Sequence, residues 1–127
     1  MNRMTPDVAV KNLGIKDGKL NPCPDMKNCV CSQHKDKFSV DPINMKGPNQ
    51  IDKIAEVVGK LKGFTIAKKE GSYLHATFKS TLMGFIDDIE FLVSGDQVHV
   101  RSASRLGYWD IGANQKRVEM LRKKLQD

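Results

Sequence analysis

The chain is short of most features that would assign it at once. Its longest apolar run, Leu82 to Ile86, is broken by Gly84, and about 20 apolar residues are needed to cross a bilayer, so no membrane span is expected. With 10 Gly and 5 Pro in 127 residues and no convincing repeat, collagen-like, coiled-coil and low-complexity classes are excluded. Residues 1–10 include Pro6 and Asp7 and no apolar core, so no secretory leader is visible. The chain is then either cytoplasmic or preceded by a leader outside these residues. There is no Gly-rich phosphate loop, no nucleophile elbow and no telling Ser, His and Asp spacing. His34, His75 and His99 are scattered, and the last two read as exposed strand residues.

A basic arm is also missing. The net charge is +6, yet residues 1–63 hold 11 basic and 7 acidic side chains and residues 64–127 hold 10 and 8. A nucleic-acid reader concentrates its cations on one face. The nearest cluster, Lys116, Arg117, Arg122, Lys123 and Lys124, reads as a solvated helix face whose cations favour the helix C-terminus, and nucleic acid is not an expected partner.

What is present suffices for one domain over residues 1–127. Leu, Ile, Val and Phe make up about a quarter of the chain, enough for a core at this size. Residues 1–47 show neither helical nor strand period and read as an irregular arm, long enough that something must pin it. Cys23, Cys29, Cys31 and His34 are candidates. Their spacing is a poor match to the knuckles of zinc sites, and the residues alone leave a disulfide, three thiols or a metal open. No cofactor is expected.

Residues 48–127 read as helix, four strands, helix. Pro48 suits a first helical position. Ile51, Ile54, Ala55, Val58 and Leu61 form one apolar stripe, and Gly63 supplies a stop. Strand patterns over 64–70 and 73–79 flank Gly71-Ser72, and those over 85–94 and 97–103 flank Gly95-Asp96, two hairpin turns. Residues 105–113 read as a loop, and a last helix over 114–125 carries Val118, Leu121 and Leu125 on one face. The expected fold is α+β: a four-stranded antiparallel meander with both helices packed on one face.

The second turn sets a register. If Ser94 pairs with Gln97, then Val93 faces Val98, Phe91 faces Val100 and Ile89 faces Ser102 on the helix side. On the other side Glu90 faces Arg101 and Asp88 faces Ala103. Glu90 and Arg101 are then a structural cross-strand ion pair, read as exposed and typically worth about 0.2–1 kcal/mol. Asp87 is the anomaly, a carboxylate on the core side opposite Ser104. It needs a partner, and Arg105 and Arg117 are the candidates.

The run Arg101-Ser102-Ala103-Ser104-Arg105 with Gly107, Asp110, Gly112, Asn114 and Arg117 resembles the signature of the domain of unknown function 1499 family. So do the block Asp87, Asp88, Glu90, Phe91 and the block Leu13-Gly14, Gly18, Leu20, Pro22-Cys23-Pro24 with Asn28-Cys29-Val30-Cys31-Ser32. Three blocks match in order over about residues 13–125. The family usually has Ser where this chain has Cys31. The resemblance retains Cys23 and Cys29, and so implies a Cys23–Cys29 disulfide with Cys31 a thiol. A disulfide implies an oxidising compartment. The resemblance also implies a small domain of envelope-associated, secreted or plastid proteins and no established activity.

The expected function is therefore a non-catalytic, extracytoplasmic or envelope-associated domain that binds a small anionic ligand or a protein partner. Arg forks match carboxylate and phosphate, and the expected ligand residues are Arg105, Arg117, Asp87, Ser104 and Asn114, with Arg105 the more weakly neutralised arginine. The alternative is a hydrolase-like enzyme using Asp87 with Arg105 and Arg117. The bland reading of the same residues is a self-satisfied structural network.

Overall fold

The computed structural model describes residues 12–24, 28–34, 38–80, 84–105 and 112–127. Most of the loop expected over 105–113 lies outside them. In chain order the elements are β1 (Ile15–Lys16), β2 (Lys19–Leu20), β3 (Cys29–Cys31), β4 (Ile43–Asn44), α1 (Gln50–Gly59), β5 (Phe64–Glu70), β6 (Tyr73–Lys79), β7 (Ile86–Ser94), β8 (Gln97–Ser104) and α2 (Ala113–Leu125).

The fold is α+β with antiparallel sheets, but the main sheet has six strands where four were expected, in the order β3-β8-β7-β6-β5 with β4 also on β8. β1 and β2 form a separate two-stranded sheet. The reason lies in the arm. β3 and β4 are three and two residues long, too short for any period to show, and they are strands because the free edge of β8 offers unpaired N–H and C=O groups. β3 pairs with Arg101 to Ala103, and β4 pairs with Gln97 and Val98.

Both hairpins close as their turns predict, Glu70 pairing with Tyr73 and Ser94 with Gln97. Gly71 and Gly95 have φ of 57° and 62°, the left-handed conformation that the first central residue of such turns needs. The β7–β8 register is the expected one along its length, from Ser94–Gln97 to Asp87–Ser104. Pro48 lies outside α1. Asn49, at φ 66°, is the N-cap and Gln50 the first helical residue. Gly63 follows the end of α1 at φ 89°, where a Cβ would come within 2.8 Å of the Phe78 ring.

Both helices cover one sheet face. Ile51, Ile54 and Val58 of α1 and Val118, Leu121 and Leu125 of α2 pack on Leu74, Ala76, Ile89, Phe91, Val98 and Val100. The opposite face is covered as well. Leu20 and Cys23 of the arm pack with Cys31, Tyr73 and Leu92, and a Cys23–Cys29 disulfide, S–S 2.08 Å, ties the arm to β3. The described part of the arm thus lies over the second face through Leu20 and Cys23. Arg122 joins it from the far side, donating to the carbonyls of Pro42 and Asp41 at 2.6 and 2.7 Å, so it is not part of a fully solvated cationic face.

Candidate functional site

Successive strand residues point to opposite faces, and β7 uses this to split its acidic residues into two networks. Asp87 points to the helix side. Its carboxylate accepts from Arg117 Nη2 at 2.7 Å, while Arg117 Nη1 donates to Asn114 Oδ1 at 2.8 Å and the guanidinium lies 4.8 Å from the Phe78 ring centroid. Asn114 is fully buried. It accepts from Ser102 Oγ at 2.6 Å and donates to Ser104 Oγ and to the Asn28 carbonyl, both at 3.0 Å. This network joins α2, β8, β7 and the residue before β3.

Asp88 and Glu90 point to the arm side. Arg105 holds Asp88 side-on, with Nε and Nη2 at 2.9 and 3.0 Å from the two carboxylate oxygens. His75 Nε2 stands 2.7 Å from the same group. Burial pushes the Asp88 carboxyl up, and the bonds from His75 and Arg105 outweigh it, so the group is held below the usual carboxylate range. Arg105 is held more firmly protonated in turn, chiefly by its bond to Asp88.

Glu90 accepts from the Gly14 backbone N–H at 2.7 Å and from the Tyr73 hydroxyl. Burial first, and then the Glu90 charge, push the Tyr73 phenol far above its ordinary value. Arg101 Nη1 lies 3.5 Å from Glu90. The pair was expected to be exposed, but Arg101 is 1% and Glu90 0% exposed, because the arm lies over them.

His75 and His99, expected to be exposed, are both half-buried. Ser32 Oγ accepts from the Val100 N–H at 2.8 Å and sits 3.0 Å from His99 Nδ1, so its proton is available to that nitrogen, which accepts only in neutral imidazole. Burial, then the charge of Lys19, lower the tendency of His99 to protonate.

The structure therefore gathers Asp87, Arg117, Ser104 and Asn114 in one network and puts Arg105 in another, on the opposite face. An enzyme built on Asp87 with both Arg105 and Arg117 has no common centre. Arg105 is paired by two bonds and is not the weakly neutralised arginine; that position belongs to Arg101. Its Nε and Nη2 are buried and have no hydrogen-bond partner among the described residues. Sequence reasoning left out Tyr73, His75, Gly14 and Asn28. The first two follow from laying β6 against β7, where Tyr73 faces Leu92 and His75 faces Glu90; the backbone groups carry no sequence signal. Among the described residues no group of three or more His, Cys, Asp or Glu is placed to hold a metal, and no helix is long and apolar enough to cross a membrane.

A family model described as protein of unknown function (DUF1499) matches residues 19–125. No curated protein and no solved structure matches the chain.

Proposed function

The chain belongs to the DUF1499 family, whose description assigns no activity, and from its own residues we propose that it is a non-catalytic, envelope-associated domain binding a small anionic ligand or the anionic end of a partner. The observation that carries this reading is the unmet fork of Arg101. Nη1 turns to Glu90, which leaves the edge of Nε and Nη2 buried and without a hydrogen-bond partner among the described residues. That edge matches a carboxylate or phosphate side-on, and Arg105 uses the same edge to hold Asp88. A buried donor of a charged group without an acceptor costs about 1–3 kcal/mol or more, and an oxyanion removes that cost. The net charge of +6 favours approach of anions. The disulfide supports an oxidising, extracytoplasmic setting.

In this reading Arg101 is the anchor and Arg105, whose side chain is 26% exposed, is the more accessible cation on the same face. Asp87, Arg117, Ser104 and Asn114 hold the strands from behind. Calorimetry and thermal-shift titrations with phosphate, citrate and acetate test the proposal. At least one anion should raise the melting temperature of the wild type. Arg101→Lys, which keeps the charge and loses the fork, should abolish the rise, and Arg105→Ala should weaken it. Failure of every anion to bind the folded wild type overturns the reading.

A further inference from the structure

The three cysteines form a second constellation, on the far side of Arg101 from Glu90. Cys29 and Cys31 are 1% and 2% exposed and lie two residues apart on β3, so their side chains share one face. Cys23, bonded to Cys29, packs against the cluster of Leu20, Tyr73 and Leu92 to which Cys31 belongs. Cys31 is outside the disulfide. The Cys31 thiol and the Cys29 half of the disulfide are therefore buried on one face of β3, with the partly buried Cys23 packed against the same cluster.

The ladder adds an electrostatic feature. Ser32 N–H donates to Val100 and Ser104 N–H to Asn28, each at 2.9 Å, so the hydrogen-bonded pairs of β3 and β8 fall at even positions of β3. Cys31 and Arg101, directly opposite each other, are thus a non-hydrogen-bonded pair, the kind whose side chains approach most closely. Arg101 and Cys31 are both buried and share one face as direct cross-strand partners, so negative charge on that sulfur forms close to a guanidinium.

We propose that Cys31 is the nucleophile of an internal thiol–disulfide exchange that moves the arm's tether from Cys29 to Cys31. The Cys31 thiol gives up its proton and its sulfur attacks the sulfur of Cys23. The Cys23–Cys29 bond breaks as the Cys23–Cys31 bond forms, and the electron pair leaves on the Cys29 sulfur, which takes up a proton. One disulfide and one thiol stand on each side, so no oxidant or reductant is needed. The new tether lies two residues further along β3, about 6.6 Å of strand rise, and carries with it the arm that covers Glu90 and Arg101.

The test uses the intact wild-type chain, held in buffer without added thiol or disulfide, sampled over minutes to hours and stopped with acid. The remaining thiol is alkylated after unfolding, and trypsin releases residues 20–27 joined to residues 28–35. Fragmentation then places the label on Cys29 or on Cys31. A fraction labelled on Cys29 that grows to a plateau is the expected result. Label on Cys31 alone at every time overturns the proposal. A folded Cys29→Ser chain should form Cys23–Cys31 when oxidised with glutathione disulfide; two persistent thiols in that chain also overturn it. Neither outcome depends on an anion, so this inference and the anion reading fail separately.

Discussion

Asp88 and His99 make the stability of this protein depend on pH over two separate windows. The native Asp88 carboxyl is held below its ordinary range by His75 and Arg105, so the unfolded chain binds the proton first. The stabilisation is complete above the unfolded value, about 3.9, and is lost as the pH falls through the native one. His99 protonates less readily in the fold, mainly through burial. The unfolded chain then binds more protons just below about pH 6.5, and stability declines as the pH is lowered through that region. We expect the melting temperature to drop between pH 7.5 and 5.5 and His99→Gln to flatten that slope; an unchanged slope refutes the assignment. Arg101 is a larger matter. Replacing it by Ala leaves Glu90 buried with Tyr73 and Gly14 as its partners among the described residues, and breaking a buried pair typically costs about 3–5 kcal/mol. Urea unfolding measures this directly, and a loss under about 1 kcal/mol would return the pair to the surface class.

β8 is the element on which the rest depends. It pairs with β7 along one edge and with β3 and β4 along the other, while α2 reaches its helix-side polar residues through Asn114. Asn114→Ala removes one acceptor and one amide donor from a site with no access to water, and each unsatisfied group costs about 1–3 kcal/mol. We expect loss of protection against hydrogen exchange in β3 and the first turn of α2 together, because both hang on that side chain. Protection lost in α2 alone would show the link to β3 to be idle. The Cys23–Cys29 bond spans six residues in sequence, a short loop worth about 2 kcal/mol in the chain-entropy account. Cys23→Ser should cost about that much in chemical denaturation, read at a matched redox state, and leave α1 and the β5–β6 hairpin unchanged by the same exchange measurement.

At the scale of the whole molecule both faces of the sheet's centre are covered among the described residues. The helix side buries an apolar core, and the arm side buries a polar layer of Glu90, Arg101, Asp88 and Tyr73 under residues that are themselves mostly loop. A chain lacking residues 1–24 would uncover Tyr73, Leu92, Cys31 and the Glu90–Arg101 pair at once. We expect it to keep its helical signal, bind a hydrophobic dye and lose any response to anions. Retention of a full thermal shift with phosphate would mean that the anion site lies elsewhere.

The sequence by itself determined the second half of this protein closely. Hairpin turns act over two residues, and helical stripes act over one turn, so β5 to β8, both helices and the β7–β8 register are written in local chemistry. The register also separated Asp87 from Asp88 and Glu90 and paired Glu90 with Arg101, because alternation on a strand is a covalent fact. Only the tertiary structure decided what covers the second face. β3 and β4 exist through contacts with residues about 50 to 75 positions away, and no local pattern encodes an edge-strand pairing at that distance. Burial of Glu90 and Arg101 follows from the same docking, which is why a pair that reads as exposed on its own strands became the most deeply enclosed ion pair among the described residues. The choice between Arg105 and Arg117 as partners of Asp87 likewise waited on the structure. It needed the side of the sheet on which each chain segment returns, and the return of α2 across the helix face brought Arg117 to Asp87 and left Arg105 to Asp88.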